Sequence, residues 1–492
     1  MNKRMVLRTL GVVLRILSLL LVLPIITAIC YGEKRELFSF ACVAAGSFFA
    51  GSLLLIFIKT KNTVIYAKEG FAITAFTWII MAAVGALPFV ISGVIPSYVD
   101  AFFETVSGFT TTGSSILESL KLDDLYQTSK SMLLWRSFTH WVGGMGVLVF
   151  VMAIIPNFTD RSIHIMRAEM PGPVIGKLLP KAKSTSRILY VIYIALTLLQ
   201  MVLLCAGNMP LFDSIVLSFG TAGTGGFAVT SSGIGGYSPY CQWVIAVFMF
   251  VFGVNFNLYF LVLIRRVRTA VKSSELWCYI AIAAVSTTII TANIMTKIPE
   301  MKTFSEAVRH AFFQVGTIMS TTGYATADFD AWPNLSKAVL FLLMFCGGCA
   351  GSTAGGLKVS RVIMLFKAVA KEIRQMIFPR SVSKVRFEGK PVDDSIIRSV
   401  SSYFVIYMIC LLGAFLLIAF EPFDFETNVS AVVTCFNNVG PGFSAVGPMA
   451  NFASYTDFSK IVLSFAMLLG RLEIFPLIVI FSPHSWIKKN NK

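Results

Sequence analysis

The stretch MSTTGYATAD, Met319 to Asp328, is a polar run with one glycine near its centre, set between two strongly apolar stretches. Its core, Ser320-Thr321-Thr322-Gly323-Tyr324, is built from common residues and carries little weight alone. What gives it weight is recurrence, since self-similarity along a chain is the sequence signature of a repeat architecture.

The neighbourhood of this run has a fixed order. A long apolar segment, Leu276 to Met295, precedes a short one, Phe304 to Ile318; the polar run follows, and then the apolar stretch Ala338 to Ala370. The same order occurs three more times. Phe71 to Ile95, Tyr98 to Thr110 and Met132 to Ile155 form one copy; Arg187 to Ala206, Leu211 to Gly220 and Gln242 to Ile264 form another. The last is Arg398 to Phe420, Phe425 to Phe436 and Ile461 to Phe481. The long segments reach the roughly 20 residues needed to cross a bilayer core, and the short ones do not. Two further long runs, Gly11 to Cys30 and Phe38 to Ile58, precede the repeats.

The loops after the short segments align on one glycine each. They read Thr111-Thr112-Gly113-Ser114, Thr224-Gly225-Gly226-Phe227, Thr321-Thr322-Gly323-Tyr324 and Asn438-Val439-Gly440-Pro441. The predicted fold is therefore an all-α integral membrane protein: four pseudo-symmetric helix–pore helix–helix repeats around a central pore, plus two N-terminal transmembrane helices. The expected units are an N-terminal helix pair at 1–68 and pore repeats at 69–160, 187–272, 273–372 and 397–492, with basic cytoplasmic linkers at 161–186 and 373–396.

Composition agrees. Of 492 residues, 56% are hydrophobic and 13% charged, about half the charged share of a soluble domain. The net charge of +16 would suggest nucleic acid in a soluble protein. Here the cations collect in alternate loops, as they do on the cytoplasmic side of membrane proteins. Lys3, Arg4 and Arg8 open the chain. Lys59, Lys61 and Lys68 follow, then Arg161, Arg167, Lys177, Lys181, Lys183 and Arg187. Next come Arg265, Arg266, Arg268 and Lys272, the stretch Lys358 to Arg398, and finally Lys488, Lys489 and Lys492. The other side carries balanced or acidic segments such as Glu118 to Asp124 and Glu421 to Asp424. The alternation holds only if each short segment enters and leaves on the outside, with both termini cytoplasmic. Met1 to Arg8 is basic, but the apolar run after it contains Arg15 and no small-residue cleavage site, so it reads as a retained helix.

Non-helical backbone is tolerated at membrane depth only where it lines protein or a water-filled cavity. Four glycine-bearing loops at one depth imply a shared cavity, with carbonyl oxygens replacing part of an ion's hydration shell. Each short helix points its C-terminal end, with its partial negative charge, at that cavity, which favours a cation. The four tetrapeptides contain no Asp or Glu. That favours a monovalent ion over calcium, whose sites use carboxylates. The third loop also resembles a short form of the Thr-Val-Gly-Tyr-Gly loop of potassium channels. The filter residues expected are Thr111, Thr112, Gly113, Thr224, Gly225, Gly226, Thr321, Thr322, Gly323, Asn438, Val439 and Gly440, holding potassium as substrate.

A second feature is Cys346-Gly347-Gly348-Cys349-Ala350-Gly351-Ser352-Thr353-Ala354-Gly355-Gly356. Glycine destabilises a helix by about 1 kcal/mol relative to alanine. Gly347, Gly348, Gly351, Gly355 and Gly356 thus suggest an unwound gate below the filter, although Gly347, Gly351 and Gly355 also share one helix face suited to close packing. Arg471 lies inside the last span, where an ionisable residue is a functional candidate. It can repel cations or hold the glycine-rich segment through its carbonyls. It should not pair with Glu473, because residues two apart do not face each other on a helix. Arg136, between Trp135 and Trp141, reads as an anchor near the outer interface.

These residues resemble the TrkH/KtrB superfamily of potassium transporters. The four single-glycine loops, Trp141-Val142-Gly143-Gly144-Met145-Gly146, the glycine-rich segment and Arg471 carry the likeness over essentially the whole chain. The extra N-terminal helices and the run Asn437 to Gly442 resemble the TrkH branch. The resemblance implies a homodimer in a bacterial inner membrane with one pore per subunit. It also implies a cytoplasmic TrkA-type NAD- or ATP-binding regulatory protein, and no cofactor bound by this chain itself. Basic loops including Lys371 to Arg386 would meet that partner or anionic lipid. In plant relatives a serine at the first filter glycine goes with sodium transport; Gly113 points to potassium. Gly225 and Asn438 depart from the pattern of the other loops and put the strength of selectivity in question.

Two rival readings remain: an ion-coupled cation symporter using sodium or protons, and a poorly selective sodium/potassium pore. Transporters with midplane sites are commonly built from inverted repeats, whereas these repeats run in one orientation. An enzyme would need paired carboxylates or clustered histidines; His140, His164, His310 and His484 are dispersed, and no Walker loop occurs. Cys346 and Cys349 lack the second ligand pair of a zinc site.

Overall fold

The computed structural model describes residues 2–59, 67–146, 182–298, 303–380 and 384–481. Lys61, Arg161, Arg167, Lys177, Lys181, Lys488, Lys489 and Lys492, with His164 and His484, lie outside the described residues, as does most of the expected linker 161–186. Among the described residues the elements are helices plus one hairpin, Arg386–Phe387 against Lys390–Pro391. Among the described residues, six helices are long and apolar enough to cross a membrane, seven if one bent pair counts as a single span.

The N-terminal unit is Lys3–Leu20 continued by Val22–Tyr31, turning at Gly32 into Lys34–Phe57. Gly11 and Gly51 let the two long helices touch: a Cβ on Gly51 would lie 2.6 Å from the Gly11 carbonyl oxygen. Small residues that permit such approach are the usual currency of helix packing in membranes.

Each repeat follows with a short helix between two further helical elements. The short helices are Tyr98–Phe109, Leu211–Gly223, Phe304–Met319 and Phe425–Asn437. All four carry an acid in the first turn, namely Asp100, Asp213, Glu306 and Glu426. A negative charge there complements the positive end of the helix dipole and leaves the opposite, negative end for the loop. All four are amphipathic in an unusual sense: their last turns are buried on every side.

The third helices of the second and fourth repeats are not the single spans expected, and that of the third repeat is interrupted at its glycine-rich run. Gln242 to Ile264 splits into Pro239–Gly253 and Phe256–Leu263, bent by 90°. Asn255 caps the second piece through the Asn257 N–H. Ala338 to Ala370 splits into Asn334–Cys346 and Val359–Ile377, with the glycine-rich segment between them outside any helix. Ile461 to Phe481 breaks between Asp457–Arg471 and Phe475–Phe481, where Glu473 and Ile474 both have positive φ. The described part of Met132 to Ile155 is Lys130–Gly144. In the second and third repeats the broken ends are knitted together. The Cys349 N–H donates to the Gly253 carbonyl at 2.9 Å, and the Phe256 N–H to the Gly351 carbonyl at 3.1 Å. Backbone groups freed by a break must find partners inside the protein, and here they find each other.

Candidate functional site

The four short helices end in the same way. Thr111, Thr224, Thr321 and Asn438 have φ of 57, 55, 56 and 56°, the left-handed conformation. The next residue's N–H reaches back five residues: Thr112 to Ser107 at 2.9 Å, Gly225 to Gly220 at 2.8 Å, Thr322 to Thr317 at 2.8 Å, Val439 to Thr434 at 2.9 Å. This is the Schellman helix end, where glycine normally takes the left-handed position. A β-branched residue there is disfavoured by about 1–2 kcal/mol. Three threonines and an asparagine hold it, and residues in sparsely populated backbone regions cluster at functional sites.

The glycines come two residues later and do something else. Gly113, Gly323 and Gly440 have φ of 84, 89 and 107°. Gly226 does not lie in the left-handed region, so the second loop breaks the pattern. All four are packed against the next loop. A Cβ on Gly113 would lie 2.7 Å from the Gly226 N, one on Gly226 would strike the Thr322 carbonyl, and one on Gly323 the Val439 carbonyl. One on Gly440 would lie 2.8 Å from the Thr112 carbonyl, which closes the circle. The loops thus form one ring of backbone in which each glycine makes room for its neighbour.

Thr111, Thr112, Thr224, Thr321, Thr322, Asn438 and Val439 are buried in this ring. Among the described residues no donor bonds to their carbonyls or to that of Gly225. Buried carbonyls are nearly always paired, with protein or with something the protein holds. The side-chain oxygens Thr111 Oγ1 and Asn438 Oδ1 also lack a partner among the described residues. Links between loops are specific: Asn438 Nδ2 donates to Thr112 Oγ1 at 2.9 Å, and Ser114 Oγ to the Gly440 carbonyl at 2.9 Å.

One cavity is lined by Gly113, Gly226, Gly323 and Gly440 together with Tyr324 and Pro441. A second, sharing no residue with it, is lined by Gly351, Gly355, Gly356, Lys358 and Arg471, among others. The ring stands between them, because Gly355 abuts Asn437 and Asn438 at the ring's own edge. There the Gly355 N–H donates to Thr321 Oγ1 at 2.6 Å. Gly347, Gly351 and Gly356 have positive φ, and Gly348 packs against the Gly253 carbonyl.

Arg471 bridges two segments. It donates to the Thr353 carbonyl at 2.7 Å and to the Gly143 and Gly144 carbonyls at 2.6 and 2.7 Å. Glu473 pairs instead with Arg361, whose guanidinium also stacks on Tyr403 at 4.2 Å. Lys358, buried and with φ of 73°, bonds to the Ala354 carbonyl and lines the same cavity. Sequence reasoning counted Lys358 among the cytoplasmic cations, whereas the structure buries it against this cavity; its place at the end of a glycine-rich run was the available signal.

Arg136 holds the outer side of the ring rather than the membrane interface. It pairs with Glu104 of the first short helix at 2.7 Å, reaches Ser115 Oγ at 3.0 Å and lies 4.2 Å over Phe227. Trp135 is buried against Phe40 and Phe109. Glu104 also accepts from the Ile116 N–H at 3.0 Å, so it pins the exit of the first loop. A carboxylate beside the ring was not anticipated, because an apolar run hides a single acid whose partner is on another helix. Removing one partner of a buried pair costs about 3–5 kcal/mol, whereas replacing both by apolar groups can be neutral. Glu104→Ala should therefore lower the melting temperature in detergent well below that of the double variant Glu104→Leu/Arg136→Met. Equal melting temperatures would show that the pair contributes nothing.

The TrkH family model, described as a cation transport protein, matches residues 38–489. The chain is 33% identical over 487 residues to the Trk system potassium uptake protein TrkG of Escherichia coli, covering 98% of each. It is 33% identical to the Trk system potassium uptake protein TrkH of Salmonella typhimurium, covering 99% of this chain and 100% of that one. The crystal structure of the potassium transporter TrkH from Vibrio parahaemolyticus matches with a TM-score of 0.87 at 29% identity, covering 99% of this chain and 100% of that chain. The chain belongs to the TrkH family of multi-pass membrane cation transport proteins.

Proposed function

We propose that this protein takes up potassium across a bacterial inner membrane through the ring of four loops, as its relatives are named for doing. The observation that carries the proposal is the closed ring itself. Eight buried carbonyls without donors among the described residues, from Thr111, Thr112, Thr224, Gly225, Thr321, Thr322, Asn438 and Val439, surround a point where four helix C-termini meet. Oxygen dipoles of this kind replace a cation's hydration shell, and the helix ends add favourable potential. Gly113, Gly226, Gly323 and Gly440 let the loops approach closely enough to form it.

Beneath the ring, the segment from Gly347 to Gly356 with Arg471 is the gate. It touches the ring through Gly355 and places the cations Arg471 and Lys358 against the path a potassium ion would follow. A cytoplasmic TrkA-type nucleotide-binding protein regulates the gate by docking on the basic inner surface, and the subunit works as a homodimer with both termini cytoplasmic. The repeat boundaries given above are its functional units. Because Gly226 departs from the backbone of its three counterparts, the ring offers fewer equivalent ion positions than a fully four-fold filter, and potassium preference should be weaker than a potassium channel's. Reconstitution in liposomes with opposed K⁺ and Na⁺ gradients tests this. Potassium flux above protein-free vesicles, with measurable sodium flux beside it, is expected; absence of potassium flux, or sodium exclusion as strict as a channel's, would contradict it.

A further inference from the structure

We infer that Glu275 is a positioning residue that staples the glycine-rich segment shut, and that Glu388 of the cytoplasmic hairpin is the handle that releases it; this rests on the gate reading above. Glu275 is buried in the first turn of helix Ser274–Lys297, the opening helix of the third repeat. Its Oε1 accepts from the Ala350 N–H at 2.7 Å and from the Ser360 N–H at 3.2 Å. One carboxylate oxygen thus joins the two ends of the segment that carries Gly351, Gly355 and Gly356. With Glu275 in place, the segment's ends are held together, and Gly355 is held against Thr321.

The same helix end is gripped from the cytoplasmic side. Glu388 Oε1 accepts from Ser273 Oγ at 3.0 Å, Ser274 Oγ at 3.2 Å and the Glu275 N–H at 3.1 Å. Glu388 sits at the tip of the hairpin, where it and Gly389 have φ of 48 and 73°, the signature of a tight two-residue turn. The hairpin does not float. Phe387 is buried in a small core with Met364, on the helix that leaves the gate, and Val400, on the helix that opens the fourth repeat. Its neighbours Lys384, Arg386 and Lys390 are exposed and basic, so an acidic face of a cytoplasmic partner that draws on them pulls on Glu388. Movement of Glu388 loosens the helix end, and with it the oxygen that holds Ala350 and Ser360. Coupling between sites needs such an element with two arrangements, and a demonstrated energetic link between its members.

The test is potassium flux of the full chain in liposomes without partner, recording maximal rate and half-saturating concentration separately. Glu275→Ala loses two hydrogen bonds to a charged group, each worth at least about tenfold, and should raise the maximal rate at least about tenfold while leaving half-saturation unchanged. Glu275→Gln keeps an acceptor oxygen and should recover most of the wild-type rate. Glu388→Ala should also raise the rate, and the double variant should add little to Glu275→Ala alone. Arg471→Ala serves as the independent opener. If it raises flux while Glu275→Ala, Glu275→Gln and Glu388→Ala all behave as wild type, the staple is refuted and the gate stands. If no variant changes flux, the gate reading fails and the staple with it. Full additivity of Glu275→Ala and Glu388→Ala overturns the handle. Should Glu275→Ala not fold, an unchanged Glu388→Ala beside a raised Arg471→Ala is the overturning result.

Discussion

Serine in place of Gly113 is expected to abolish the preference for potassium over sodium and to cut potassium flux by at least about tenfold. Two independent features of the ring make this the most damaging small change. Gly113 has φ of 84°, a conformation that side-chain-bearing residues adopt at a cost of about 1–2 kcal/mol. The new Cβ would lie 2.7 Å from the Gly226 N and 3.2 Å from its Cα, both backbone atoms that no side-chain rotation relieves. The first and second loops must therefore part. Because the glycines abut in a circle, the displacement is passed from Gly226 to Thr322 and so around the ring. Carbonyl cages discriminate by small differences in ion–oxygen distance and field, so a shift of a few tenths of an ångström suffices. Gly413→Ala is the control, since a Cβ there meets nothing within 4 Å. Flux with both ions in parallel reads the result; an unchanged ion preference in Gly113→Ser would remove these loops from the filter.

Arg471→Ala is expected to raise basal flux by at least roughly a hundredfold, which draws on only part of the charge-assisted bonds lost, worth about 1.5–3 kcal/mol each. Arg471 donates to carbonyls at both Thr353, in the glycine-rich segment, and Gly143 and Gly144, at the end of the first repeat's inner helix. It closes the cavity below the ring from two sides with one side chain. Its removal also takes a positive charge from the cation path. Arg471→Lys separates the two effects. Lysine keeps the charge but lacks the planar fork that reaches several acceptors at once, so an intermediate rate is expected. A lysine variant as closed as wild type would assign the whole effect to charge, and an unchanged open probability in Arg471→Ala would take the residue out of the gate.

Much of the architecture is legible in the sequence because it is written in long-period features. Spans of about 20 apolar residues, short segments between them and one glycine per loop survive without any knowledge of contacts. The alternation of Lys and Arg between loops adds an expected orientation. What the sequence conceals is local. Positive φ occurs not only at Gly113, Gly323 and Gly440 but also two residues before each loop glycine, at Thr111, Thr224, Thr321 and Asn438, where no glycine marks it. Glycine signals permissive backbone, yet at Gly226 its role is close approach alone. The breaks in the inner helices are equally hidden. The one after Gly253 is stabilised by bonds from Cys349 and to Gly351, almost a hundred residues away, which no local propensity encodes.

Charged residues show the same limit. Arg471 stands out in an apolar span, but Glu104, Glu275 and Glu388 are single acids whose partners lie on other elements. The acids that open each short helix, Asp100, Asp213, Glu306 and Glu426, were available as a four-fold signal once the repeats had been aligned. Glu473 shows that excluding a pair is easier than finding one: its spacing from Arg471 argues against their pairing, while Arg361 could be found only in three dimensions.

The most direct measurement is the position of a heavy potassium substitute within the protein. Crystals grown with thallium or rubidium in place of potassium give anomalous density at each bound ion. The ring predicts a peak on its axis, coordinated by carbonyls from all four loops, including those of Thr112, Gly225, Thr322 and Val439. Density confined to the cavity beside Arg471 or to sites between helices, with none inside the ring at saturating ion, would contradict it.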